Sequence, residues 1–210
     1  MKFLLFFLFL TQAYGNTWPN FGGPLRNQIS DEKGLKTNWE EEEPKRLWEL
    51  NIGFGYSSII EVGGFAYTQG HSEGRNTLYC VEALTGKEIW QHSYPCEKAP
   101  KFFDGGSRAT PTIANGILYL GSHEGDFYAL DAKSGQILWT KNLVKDFDGR
   151  RPMWGYSGSP LVVESKLILE TGSANGSLVC LDAQKGDLIW RVGGNEAGYA
   201  SPMLNSKNEI

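Results

Sequence analysis

The chain is poor in the groups that mark several common protein classes. It has three cysteines, Cys80, Cys96 and Cys180, no two of them adjacent. It has three histidines, His71, His92 and His123, in or beside expected turns and at no zinc-ligand spacing. No cluster of Asp, Glu and Asn reads as a calcium cage, so no metal ligands are assigned. Lysine and arginine number 20 against 24 acidic residues, a net charge of -4. There is no basic stripe of the kind a phosphate backbone requires, which argues against nucleic-acid binding. The acidic run at 40–43 reads as a solvated connecting segment. The longest apolar run, Phe3 to Leu10, is far short of the roughly 20 residues a membrane-spanning helix needs, so the chain is not read as an integral membrane protein. Apolar stripes at helical spacing are scarce.

What is plentiful is glycine, 26 residues, and aromatic side chains, 13% of the chain. Short β-branched or aromatic runs end repeatedly in Gly, Asn, Asp or Ser, the pattern of an all-β protein with many tight turns. The first residues, MKFLLFFLFLTQAYG, combine Lys2, a short apolar core and the small residues Ala13 and Gly15. They read as a secretory signal over 1–15, cut near Gly15, with the mature protein periplasmic or extracellular. No cysteine follows at which a lipid could be attached.

The most informative feature is repetition. FYALDAKSGQILW at 127–139 has counterparts in LYCVEALTGKEIW at 78–90 and LVCLDAQKGDLIW at 178–190. Their closing tryptophans, Trp90, Trp139 and Trp190, stand 49 and 51 residues apart, a spacing close to that of a propeller blade. Each copy is preceded by a strand, a turn, a second strand and a Gly-rich turn. Four short antiparallel strands in meander order make one blade. In GILYLG, Ile117, Tyr119 and Gly121 alternate with Leu118 and Leu120, so both faces are apolar, as a sheet between two sheets requires. Asp131 suits a turn whose amides it accepts, Gly135 a positive φ, and Trp139 a plate between blades. Asp182, Gly186 and Trp190 repeat these roles. Cys80 and Cys180 occupy the place of Ala129, so they read as small buried strand residues two repeats apart. All three cysteines are expected to be unpaired.

The pattern A-x-D-x-x-[ST]-G-x-x-x-W at Ala129, Asp131, Ser134, Gly135 and Trp139 resembles the tryptophan-docking repeat of the pyrroloquinoline-quinone (PQQ) β-propellers, from BamB-like assembly factors to quinoproteins. The opening WPNFGGPLRNQIS at 18–30 resembles the start of exported members, with Gln28 where a glycine is usual. The resemblance implies a ring of about seven or eight blades. Residues 51–210 would supply three blades and the start of a fourth at YASPMLNSKNEI, with the second strand beginning near Ile210. Residues 16–50 would form an N-terminal segment ending in KRLWEL at 45–50, a ring-closing strand carrying Trp48. The remaining blades would lie beyond residue 210, making the chain an N-terminal fragment.

Three functions are compatible with this reading. The first is a non-catalytic binding or assembly module with a protein or small-molecule ligand. No catalytic residues are evident, and this reading leads. The second, implied by the resemblance alone, is a PQQ-dependent alcohol dehydrogenase with PQQ and calcium on the propeller axis. The third is a carbohydrate- or polymer-binding propeller. Tyr56, Tyr156 and Tyr199 fall just before first strands, with Arg108 and Trp154 near similar places. These five are the candidate ligand residues of the central funnel. The tyrosines equally suit packing of the channel rim, and Arg108 suits either a carboxylate ligand or a salt bridge to the next blade.

Overall fold

A computed structural model describes residues 17–41, 43–101 and 103–205. The leader at 1–15 and the strand start anticipated at Ile210 lie outside the described residues. Twelve strands form three four-stranded sheets. The first holds β1 (Ile60–Val62), β2 (Phe65–Ser72), β3 (Arg75–Glu82) and β4 (Glu88–Pro95). The second holds β5 (Thr112–Ala114), β6 (Ile117–Gly121), β7 (Asp126–Asp131) and β8 (Ile137–Asn142). The third holds β9 (Leu161–Val163), β10 (Lys166–Ser173), β11 (Gly176–Asp182) and β12 (Leu188–Val192). Every sheet is an antiparallel meander in sequence order.

The two-residue period of a strand sends alternate side chains to opposite faces, and here each face meets a different neighbour. Leu118, Leu120 and Leu130 of the second blade join Ile60, Leu78 and Cys80 of the first in one buried cluster. Tyr119, Phe127 and Ala129, one residue out of phase, join Leu167, Val179 and Leu181 of the third. The middle blade is thus apolar on both sides because it is covered on both sides. Cys80 and Cys180 point the same way from blades one and three, with the whole second blade between them. All three cysteines are free and buried.

The tryptophan joint uses two copies, not one. Trp90 of the first blade lies over Gly135 of the second, and Trp139 of the second over Gly186 of the third. Both glycines have φ near +70° (72° and 73°), and a Cβ at either would overlap the indole. The Trp90 Nε1–H donates to the Ala132 carbonyl (3.2 Å) and the Trp139 Nε1–H to that of Ala183 (3.1 Å). Each carbonyl also accepts a tyrosine hydroxyl, from Tyr67 and Tyr119 respectively. A β-bulge aims the indoles. Trp90, Trp139 and Trp190 pair with Cys80, Ala129 and Cys180, and the register then slips by one residue in all three blades. The turns are held as their residues require: Asp131 Oδ1 accepts Ser134 N–H and Oγ–H (both 2.7 Å), and Asp182 Oδ1 accepts Gln184 and Lys185 N–H (both 2.9 Å).

Two features of the N-terminal segment tie it to the described blades. Residues 45–50 form no strand, although the Trp48 Nε1–H donates to the Ala83 carbonyl (2.9 Å) and its indole covers Gly86. The same docking therefore occurs on the first blade without a β-ladder, because no neighbouring strand pairs with 45–50 among the described residues. Further upstream, residues 18–28 are not a loose connection. Trp18 and Glu61 of β1 exchange two backbone hydrogen bonds (2.7 and 3.0 Å), and Pro19 O accepts from Ile113 N–H of β5 (2.8 Å). Arg26 Nη2 donates to Pro160 O just before β9 (2.6 Å). The segment runs across the inner edges of all three blades and satisfies backbone groups that first strands would otherwise leave open.

Candidate functional site at the axial opening

The first strands β1, β5 and β9 converge at the inside of the stack, while β4, β8 and β12 are largely exposed on the outside. The residue two places before each first strand carries a hydroxyl: Ser58, Thr110 and Ser159. Ser201 holds the matching place after β12. Thr110, Ser159 and Ser201 each accept the amide of the preceding blade's equivalent. Ser58 N–H donates to Thr110 Oγ1 (3.0 Å), Thr110 N–H to Ser159 Oγ (3.1 Å), and Ser159 N–H to Ser201 Oγ (2.9 Å). This girdle escaped the sequence reading, although a signal is present: Thr110, Ser159 and Ser201 are each followed by proline, at Pro111, Pro160 and Pro202.

Arg108 sits on this girdle, two residues before Thr110. Its Nη1 donates to Trp154 O and its Nη2 to Ala99 O (3.1 Å), while its guanidinium lies 5.0 Å from the Phe103 ring centroid. Its Nε is buried without a partner. Among the described residues it makes no ion pair. Burial lowers its pKa, the sign of a partly desolvated cation. Gly155, at φ 76°, makes the room: a Cβ there would overlap Arg108 Nη1 and the His123 carbonyl.

Four of the five candidate residues fall on one continuous rim. Tyr56 meets Phe103 edge-on (5.5 Å), Phe103 lies under Arg108, Arg108 holds the Trp154 carbonyl, and Trp154 packs on Tyr199 (5.3 Å). Phe103 was missed, since nothing in KFFDGGSR separates a rim aromatic from a loop aromatic. Tyr56, Trp154 and Tyr199 are well exposed. Tyr156 is a correction. It is buried in the cluster between blades two and three, and its hydroxyl donates to Thr171 O (2.9 Å). Loss of water around it pushes its pKa up to about 12. The left-handed turn at Gly155 sends this tyrosine into the joint, so it belongs to the packing.

Beneath the rim lies a buried polar layer. Gln69 Nε2 donates to Ala109 O (2.6 Å), and Gln69 O accepts from Ser107 Oγ (2.8 Å), fixing the backbone on both sides of Arg108. The Cys96 thiol lies 3.6 Å from His123 Nδ1. Burial, with Glu124 nearby, raises the thiol pKa, and burial together with Arg108 lowers that of His123 to about 4. At neutral pH the pair is therefore a neutral thiol and a neutral imidazole, not an activated nucleophile and its base. His71 is buried at the end of β2, and His92 stands in the body of β4 rather than beside a turn.

Arg108 and Tyr199 open on a cavity of about 400 Å³ whose walls also include Ser157, Ser159 and Ser201. A second arginine, Arg26, reaches it from the N-terminal segment. Arg26 Nη1 is buried without a partner, and burial lowers its pKa to about 10. No carboxylate lines this cavity. Among the described residues no group of three or more His, Cys, Asp or Glu is placed to hold a metal ion. The described residues thus place two arginines, and no carboxylate, on the wall of this cavity. No helix among the described residues is long and apolar enough to cross a membrane.

A family profile described as outer membrane protein assembly factor BamB matches residues 74–209, and the chain belongs to this family of PQQ-repeat β-propellers. It is 30% identical over 192 residues to the dehydrogenase subunit of a quinone alcohol dehydrogenase from Gluconobacter oxydans (strain 621H), a match covering 85% of this chain and 24% of that protein. It is also 30% identical over 142 residues to the corresponding subunit from Komagataeibacter europaeus, covering 63% and 18%. In fold it is similar to the quinohemoprotein alcohol dehydrogenase from Comamonas testosteroni, with a TM-score of 0.61, 22% identity, and coverage of 84% of this chain and 27% of that one. The chain therefore spans about a quarter or less of the length of these relatives.

Proposed function

We propose that the protein is an exported ligand-binding propeller that holds an organic carboxylate at the axial opening, with Arg108 as its principal contact. The observation that carries this reading is the state of Arg108. Its guanidinium is fixed by two backbone carbonyls, stacked near Phe103 and unneutralised, and it opens on a cavity without a carboxylate. A guanidinium presents five donors in a planar fork, and only two of its nitrogens are engaged. A carboxylate would complete it with charge-assisted hydrogen bonds. Tyr199 and Trp154 supply an aromatic wall beside the charge.

A second reading, supported by the names of the relatives, makes the anion a quinone and the whole protein an oxidoreductase. Arg108 would then hold a quinone carboxylate, and the quinone would supply the redox chemistry. A metal ligand set and a base would have to come from blades other than those described. Isothermal titration of the purified protein with benzoate and hexanoate tests the first reading, with PQQ as a separate arm. Saturable binding that weakens with added salt and disappears in Arg108→Gln is expected. Binding unchanged in that variant, or no binding of any anion, would overturn it. Alcohol oxidation with a dye acceptor on adding PQQ would favour the second reading.

A further inference from the structure

We infer that, while the leader is still attached, its apolar run at 3–10 docks in a cleft between the first and second blades, at the far end of the stack from the axial opening.

The cleft has a volume of about 630 Å³, inside the range of about 300–1,000 Å³ that ligand pockets occupy. Its walls are mostly apolar, with Val62, Phe65 and Ile89 from the first blade and Ile113, Ala114 and Ala132 from the second. It shares no residue with the axial cavity. The first strands begin at the axial opening, whereas the cleft lies where β1 and β5 end, at the turns of Gly63 and Gly116. Small side chains hold it open. Ala114 and Gly116 stand where the third blade has Val163 and Ser165, as the pairing of β5 with β6 and of β9 with β10 aligns them. Between the second and third blades Ala114, Ile117 and Val162 pack on the buried cluster. Between the first and second, Ile89 is left 43% exposed.

The path of the chain names the occupant. Trp18 pairs antiparallel with Glu61, so the backbone upstream of Trp18 is aimed past Val62 at the turn that edges the cleft. Six residues, 11–16, separate Thr17 from the apolar run. At about 3.3–3.6 Å per residue they reach about 20 Å at most, so the run is tethered close to the cleft. Tethering makes docking intramolecular, at an effective concentration that a free partner seldom matches. Residues 3–15 carry no charge, so burying the run strips water from apolar surface without desolvating an ion. Cleavage near Gly15 would then uncover the cleft, and the precursor and the mature protein would differ at this surface.

The test uses the full uncleaved chain, made by cell-free translation. Cys80 lines the cleft, whereas Cys96 and Cys180 do not. Under oxidised glutathione, Leu10→Cys should form a disulfide with Cys80 of the same chain, mapped by mass spectrometry. Cys80→Ala, the residue of the second blade at Ala129, should abolish it. Fluorescence of N-phenyl-1-naphthylamine gives a second readout. A leader docked nine-tenths of the time weakens dye binding about tenfold. The charged-leader variant Phe6→Glu/Leu8→Glu should therefore bind the dye about tenfold tighter than the wild type, and adding Ala114→Phe should remove that gain. A disulfide to Cys96 or Cys180, a disulfide between two chains, no disulfide, or equal dye binding with and without the leader charges would overturn the inference. None of these outcomes bears on the carboxylate reading of the axial opening.

Discussion

At the scale of single residues, side chains here are explained by what they would leave unsatisfied. His123 is buried and neutral beside Arg108, with Arg151 and His71 adding to the field that disfavours its proton. Its folded pKa, about 4, lies below the ordinary value of 6.5, so between these the unfolded chain binds more protons. The stabilisation is fully present above the upper value and is lost as pH falls towards the lower one. Urea unfolding followed from about pH 7 to about pH 4 should show a loss of ~1–3 kcal/mol that is absent in His123→Gln; parallel profiles for the two proteins would contradict this. Gln28 gives a second expectation. It stands where a glycine is usual in the opening motif, and its φ is 62°. Gln28→Gly should raise stability by about 0.5–1 kcal/mol by relieving the left-handed strain, read from the shift in denaturation midpoint. The motif's irregularity was legible in the sequence, and the backbone angle supplies its cause. Tyr156 was not legible. A tyrosine before a strand faces the opening or the joint according to one backbone angle at Gly155, and residue type does not specify which side is taken.

At the scale of elements, blades, turns and inter-blade tryptophans were legible because each copy restates the same alternation and the same turn residues. The bulge was not, since I-L-W and L-I-W are apolar throughout and conceal the residue that breaks register. Nor was the acceptor of the indole, although Ala83, Ala132 and Ala183 stand in all three copies immediately after the acid. The joint geometry has a consequence that the repeat alone would assign wrongly. Trp139 touches Gly186 of the next copy, whereas Gly135 of its own copy touches Trp90. In denaturant titrations of the full chain, Trp139→Ala and Gly186→Ala should couple by about 0.5–3 kcal/mol, while Trp139→Ala and Gly135→Ala should be additive. Coupling within a copy instead of between copies would refute the docking described here. In the girdle, Thr110→Val keeps the shape but removes the acceptor of the Ser58 amide, and a loss of about 1–3 kcal/mol is expected.

At the scale of the whole molecule, three blades, a hydroxyl girdle and an N-terminal strap meet at one place, the inner end of the first strands. The strap was the least legible part. WPNFGGPLR has no periodicity, and its route depends on contacts with Glu61, Ile113 and Pro160, dozens of residues away. The candidate site was legible in part: Arg108, Trp154, Tyr199 and Tyr56 lie on the rim, but Arg26 could not be joined to them without the path of the strap. The architecture also separates two kinds of conservative-looking residue. The turns bearing Asp131 and Asp182 lie beside the joints between blades, and the rim bearing Arg108 lines the axial cavity in which the proposed carboxylate would sit. The most direct measurement of that separation is the dissociation constant for benzoate in the wild type, Arg108→Gln and Asp131→Ala, each confirmed to be folded by circular dichroism. Binding lost in Arg108→Gln and retained in Asp131→Ala is the outcome expected. Binding lost in Asp131→Ala but kept in Arg108→Gln would place the ligand at the repeat signature and contradict the axial site.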